Sequence, residues 1–281
     1  MKILVTGGAG FIGTNLCEAL VENNDVHSID NYSTGFKKNH IKNVTYHFGD
    51  ILNIEDIINN DFDLCFHLAA LSRIQPSFEN PHDTFLANTT GTERVLEWAR
   101  KNNTKVIYSG SSSKHHNPKK SPYALYKYLG EEICKMYKET YNLNVEIARF
   151  YNVYGPREII NGQWAAVIGI WRSQIKEKKP ITIVGDGYQK RDFTHVKDIV
   201  DGLIKISKTE LTNDDAWELG SGRNFSINEV ANLFKKKYNC TIKYISDQKG
   251  NYRETLRKDD EALNKLNWNP KESLVDYINS L

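Results

Sequence analysis

Four cysteines in 281 residues, Cys17, Cys65, Cys134 and Cys240, are too scattered for a disulfide framework or a metal-ligand spacing. They read as buried thiols of a reducing compartment. No apolar run approaches the roughly 18 residues of a membrane span. The first strand-like run begins at Lys2, leaving no room for a signal peptide, so a cytoplasmic protein with no membrane partner is expected. A surplus of one charge is missing too: 37 Lys+Arg face 35 Asp+Glu, a net +2. That balance argues against a nucleic-acid partner. Internal repeats and low-complexity linkers are absent. The remaining composition, 40% hydrophobic and 26% charged, suits one large globular domain or two intimate ones.

What the chain does have is concentrated at its start. Lys2 to Val5 is a short apolar run of strand length. Gly7, Gly10 and Gly13 follow at intervals of three, and Thr14 to Val21 reads as a helix. Strand, glycine turn and helix form a dinucleotide-binding arrangement. Gly7 permits the tight turn, Gly10 admits a pyrophosphate to the backbone, and Gly13 lets the helix approach the strand. A second apolar run, Val26 to Ile29, ends at Asp30, near the 20-residue interval expected for the acid that binds the adenosine ribose. A carboxylate there favours NAD and repels the 2′-phosphate of NADP.

Strands and helices then alternate. Strands are expected at Val44–Phe48, Asp63–His67, Val106–Tyr108 and Val145–Phe150. Asp50 sits where it serves either the adenine or the N-cap of a following helix. Thr84 to Asn102 reads as one long helix, with Asn88 where an apolar residue is expected. Ser109-Gly110-Ser111-Ser112-Ser113 places hydroxyls at a strand's carboxyl end. Ser121-Pro122 then starts a helix carrying Tyr123 and Lys127 one turn apart. An ammonium beside a phenol would lower the pKa of Tyr123 and make it a usable base. The pattern predicts an α/β fold, a doubly wound parallel sheet, with a smaller mixed α/β C-terminal domain.

These residues together resemble the extended short-chain dehydrogenase/reductases that act on nucleotide sugars, most of all the UDP-glucose 4-epimerases. Thr6 to Gly13, His67 to Ala70, Ser109 to Ser111, Tyr123 to Lys127, Asn152 to Arg157 and Gly185 through Phe193 carry the resemblance. It implies a Rossmann NAD-binding domain over 1–157, with 191–207 packing back on it, and a nucleotide-sugar domain over 158–281. It implies Tyr123 as base, Lys127 as its partner and nicotinamide-ribose ligand, and Ser111 as the hydroxyl orienting the sugar O4. The NAD set is Gly7, Gly10, Phe11, Ile12, Gly13, Asp30, Asn31, Asp50, Ile51, Leu68, Ala69, Ala70, Asn88, Tyr123, Lys127 and Tyr151. The substrate set is Ser111, Tyr123, Asn152, Ala166, Val167, Arg191 and Arg253, the two arginines clamping a diphosphate unless they form structural salt bridges.

The implied function is NAD-dependent 4-epimerisation of UDP-glucose and UDP-galactose through a transient 4-keto sugar, by a homodimer. The stretch between Ser111 and Tyr123 is shorter than the family's. Thr255, the best match to the family's gate residue, is small. Both features would admit UDP-N-acetylhexosamines. Dehydratases and decarboxylases of the family carry acids just after the catalytic hydroxyl, where this chain has Ser112 and Ser113. Those reactions, a 2-epimerase and a catalytically silent dinucleotide-binding sensor are the alternatives. His115-His116 reads as a solvated pair, and no metal is expected.

Overall fold

The protein is described by a computed structural model covering residues 1–59 and 61–281. Strand β1 (Lys2–Thr6) leads through the glycine turn into α1 (Phe11–Leu20). Then come β2 (Asp25–Asp30), β3 (Thr45–Phe48) and α2 (Ile54–Ile57). Strand β4 (Leu64–His67) is followed by α3 (Ile74–Glu79), α4 (Pro81–Phe85) and α5 (Gly91–Lys101). Strand β5 (Lys105–Ser111), α6 (Pro122–Tyr141) and β6 (Val145–Phe150) close the first half.

The second half holds β7 (Asn152–Tyr154), α7 (Val167–Lys176), β8 (Ile181–Val184) and β9 (Lys190–His195). Helix α8 (Val196–Lys208), β10 (Trp217–Leu219), β11 (Asn224–Ser226) and α9 (Ile227–Tyr238) come next. Strand β12 (Ile242–Ile245), α10 (Glu261–Leu266) and α11 (Leu274–Ser280) end the chain.

Seven parallel strands form the central sheet in the order β3-β2-β1-β4-β5-β6-β10. The order reverses between β1 and β4, so their carboxyl ends open a crevice of the kind that receives ligands. Helices cover both faces, which is why β1 and β4 are largely apolar runs. Leu16, Leu203, Trp217 and Trp268 are buried on one face, and Leu4, Trp98, Tyr108 and Cys134 on the other. A third core, around Trp171 and Phe234, unites α7, α9, β8 and β9.

Five elements differ from the sequence expectation. The single helix over 84–102 is interrupted by a π turn at Leu86–Thr90, inside which Asn88 is buried. Strand β5 runs on to Ser111, because Ser109 to Ser111 pair with Ala148 to Phe150. Residues 217–219, expected in the C-terminal domain, pair with β6 and become the seventh strand of the main sheet. Strands β7 and β11 were not anticipated; three residues are too few to show a period.

Candidate active site

The crevice opens into a cleft of about 730 Å³ that runs from the β1–α1 turn to the walls of α7 and the 248–255 segment. At its inner end the glycine turn has the geometry a dinucleotide needs. Gly7 has φ +74°, a region open to glycine at little cost, and a Cβ on Gly13 would collide with the Gly7 carbonyl oxygen. No side chain caps α1 and no acid occupies its first turn, so its N–H groups remain available to an anion. Asp30 is buried at the end of β2, accepting from the N–H groups of Ala9 (2.9 Å) and Tyr32 (2.7 Å). Burial pushes its carboxyl pKa up, and those two donors oppose the rise. Its remaining lone pairs suit ribose hydroxyls. The donor set and the close turn therefore fit NAD.

Of the two jobs weighed for Asp50 the capping one is seen: it accepts from Leu52 N (2.9 Å), while its other oxygen accepts from Asn31 Nδ2 (2.7 Å) in the cleft wall. Leu68, Ala69 and Ala70 line the cleft beyond β4. Thr6 Oγ1 holds them, accepting from Leu68 N (3.1 Å) and Ala69 N (3.0 Å). Behind it His67 is fully buried between Thr6 and Thr92, and burial pushes its imidazole down to about 3, so it is neutral.

The hydroxyl end is built by β5 and α6. Ser121 caps α6 at Ala124 N (3.1 Å), and Pro122 fits its first turn. This start aims Tyr123 at the end of β5, where its Oη donates to Ser111 Oγ at 3.2 Å. Ser113 Oγ donates to the same oxygen at 3.0 Å. The Lys127 ammonium is buried against Ser109 O (2.5 Å) and the Tyr108 ring (4.2 Å). Burial lowers it to about 8. The Tyr123 phenol is raised above its ordinary value by burial, against the opposing Ser111 bond and the charge of Arg73.

The structure brings most of the sequence-derived residues into this one cleft. Phe11, Ile12, Ile51, Tyr151, Ala166, Val167 and Arg191 line it with those already named. Two residues lie outside. Asn88 spends its amide on Leu71, accepting from its N–H (2.8 Å) and donating to its carbonyl (2.9 Å), so it shapes the β4–α3 loop instead of facing the cofactor. Arg253 is 71% exposed and pairs with Asp186 at 3.0 Å. Asn152 lines the cleft, yet its amide hydrogens go to Asp192 O and Thr255 Oγ1, both at 3.0 Å. That leaves it no donor for a diphosphate. Thr255 also lines the cleft, its hydroxyl turned to Asn152 and to Asp192 N.

Arg73, Glu158 and Tyr252 are among the lining residues that escaped the sequence reading. Tyr252 stacks on His116 with ring centroids 4.0 Å apart, so the shortened loop after Ser113 is closed by a chain segment far away in sequence. A basic residue just beyond a parallel strand's carboxyl end was the available signal for Arg73.

Comparison with known proteins gives a consistent picture. A family model described as "NAD dependent epimerase/dehydratase family" matches residues 3–220. A protein of Methanocaldococcus jannaschii, provisionally named UDP-glucose 4-epimerase, is 34% identical over 98% of this chain and 95% of its own. A UDP-glucuronate 4-epimerase of Thermodesulfobacterium geofontis is 32% identical, over 98% and 93%. The solved UDP-N-acetylglucosamine 4-epimerase of Methanobrevibacter ruminantium, in complex with UDP-N-acetylmuramic acid, superimposes with a TM-score of 0.90. It is 30% identical, and the match covers 99% of this chain and 95% of that one.

Proposed function

The chain belongs to the NAD-dependent epimerase/dehydratase family, and from that membership we propose that it is a UDP-hexose 4-epimerase, with UDP-glucose and UDP-galactose as its first pair. One observation carries the reading. The Tyr123–Ser111 hydroxyl pair stands in the cleft wall with no carboxylate bonded to either hydroxyl among the described residues. Elimination of water across C5 and C6 needs a second acid and base there, and Ser112 and Ser113 supply neither at neutral pH. Removing one proton from O4 needs only the phenolate.

NAD, when bound, supplies an acceptor that takes the C4 hydride and gives it back. The chain's own residues do the rest. Ser111 Oγ positions O4, Tyr123 takes the O4 proton as the 4-keto sugar forms, and Tyr123 returns it once the sugar has turned. Lys127, fixed on Ser109 O, would be the residue that holds the cofactor's ribose. The relatives are named for three different hexoses, so the experiment is a coupled epimerisation assay on purified protein without added NAD. It compares UDP-glucose, UDP-N-acetylglucosamine and UDP-glucuronate. Turnover of UDP-glucose to UDP-galactose is the expected result, with N-acetyl turnover beside it if Thr255 is the gate. Release of a dehydrated or decarboxylated product instead would overturn the reading.

The same proposal includes a homodimer. Phe85 at 38% exposure, Met136 at 41% and Tyr141 at 49% present an apolar face on α4 and α6. Phe85 packs edge-on against Tyr126 there. A second copy would cover it. Sedimentation at micromolar concentration should give twice the chain mass of 32.3 kDa; a monomer counts against the pairing.

A further inference from the structure

We propose that Arg73 is the second cation of the substrate's diphosphate subsite, the place that sequence reading gives to Arg253. The proposal rests on the nucleotide-sugar reading of the cleft. A diphosphate brings at least two negative charges, and few groups here are free to meet them. Among the described residues the cleft is lined by three cationic side chains, Arg73, Lys127 and Arg191. Lys127 is committed to Ser109 O, Arg253 pairs with Asp186 outside the cleft, and the Asn152 amide is spent. Arg191 donates only to the carbonyl of its neighbour Lys190, at 2.9 Å. Arg73 is left as its one possible companion.

The surroundings of Arg73 are those of a cation awaiting an anion. Its Nε donates to Trp164 O at 2.9 Å and its Nη1 to Ser72 O at 3.1 Å. Both acceptors are neutral carbonyls, and Nη2 has no partner among the described residues. The carboxylate whose field reaches it, Glu158, is paired with Arg172 at 2.9 Å. A half-buried guanidinium without a bonded counter-charge carries part of the desolvation cost of a buried charge, and a ligand oxyanion offsets it. The two carbonyls fix the planar fork while leaving one edge open, which suits a phosphate oxygen.

The position agrees. Trp164 lies three residues before Val167, the start of α7, and Ala166 and Val167 line the cleft. No side chain caps α7 and its first turn contains no acid, so its positive end adds to the same field. The bond from Arg73 to Trp164 therefore ties the β4–α3 loop to the wall over which the diphosphate would lie.

The experiment is calorimetric titration of the purified holoenzyme with UDP and, separately, with uridine. Wild type, Arg73→Gln, Arg73→Lys and Arg253→Gln are compared. Loss of a charged hydrogen-bond pair should weaken UDP about 10–100-fold in Arg73→Gln, with partial recovery in Arg73→Lys. Arg253→Gln should stay within about threefold, as expected of an exposed ion pair. Uridine, which has no phosphate, should bind wild type and Arg73→Gln alike. Equal weakening of UDP and uridine would make Arg73 structural and overturn the proposal. So would unchanged UDP affinity with a loss confined to UDP-glucuronate turnover, because Arg73 would then read a charge on the hexose. Wild type that binds no UDP overturns the nucleotide-sugar reading and the clamp with it. UDP binding without epimerisation leaves the clamp supported and the reaction wrong.

Discussion

Replacing Tyr123 with phenylalanine should lower turnover about 10²–10⁴-fold, the usual worth of a positioned general base. The ring stays in place and only the 3.2 Å bond to Ser111 is lost, so the fold and the NAD site should survive. Bound NAD per chain and the melting temperature are therefore the controls. A variant within tenfold of wild type would sink the assignment of Tyr123 as base. The pH profile is a second reading of the same group. Burial raises the phenol above its ordinary value, opposed by the Ser111 bond and the charge of Arg73. The phenolate is the active form, so wild-type turnover should rise with pH over the neutral to alkaline range, and Tyr123→Phe should lose that rising limb. Part of the tuning comes from Arg73. Arg73→Gln should move the rising limb to higher pH.

The parts legible in the sequence are those encoded by near neighbours. A glycine turn between a strand and a helix is specified within a dozen residues, and so is the Ser121-Pro122 start of α6 that aims Tyr123. Asp30 was legible because strand length fixes where a chain leaves a sheet. Asn88 shows the limit of this reasoning. Its place on a helix facing the cleft suggests a ligand, but its amide is consumed by Leu71, a residue in another loop. Arg73, Arg253 and Tyr252 show the same limit in both directions. Whether each side chain faces the cleft depends on Trp164, Asp186 and His116, partners that no local pattern connects to them. The place of the seventh strand escaped for a related reason: a short strand is legible at 216–219, but its pairing with β6 brings in a charged residue, Glu218, whose partner Arg149 no local pattern connects to it.

That charged residue belongs to the network behind the second large effect. Arg149→Met should destabilise the protein by about 3–5 kcal/mol, because it removes the cation that neutralises a buried cluster. Arg149 is 1% exposed on β6. Its Nε (3.0 Å) and Nη2 (2.8 Å) donate to Glu131 Oε2 on α6, and its Nη1 (3.0 Å) to Glu218 Oε1 on β10. Asp215, before β10, accepts from Nη2 at 2.7 Å. Glu131 and Glu218 are both fully buried, so methionine would leave two carboxylates without their cation. The cluster also supports the active site: Glu131 Oε1 accepts from Ser111 N (3.2 Å), and Glu218 accepts from Tyr151 Oη and His115 Nε2.

The pH dependence has a definite sign. Burial works to raise the Glu218 carboxyl, but the bonds from His115, Tyr151 and Arg149 hold it below its ordinary value. Asp215 is held down by its bonds to Arg149 and Lys135. A depressed carboxylate contributes stability above its unfolded pKa, near 4 to 4.5, and loses it as pH falls through the folded value. In Arg149→Met the unpaired Glu218 carboxyl is instead raised, so it costs stability at neutral pH and protonation relieves the cost. The deficit in urea unfolding should therefore be greatest near pH 7 and narrow towards pH 4. Lys265→Met, which removes an exposed pair with Glu261, should cost under about 1 kcal/mol and show no such narrowing. A similarly small, pH-independent loss for Arg149→Met would mean that packing, and not charge, holds β10 against β6.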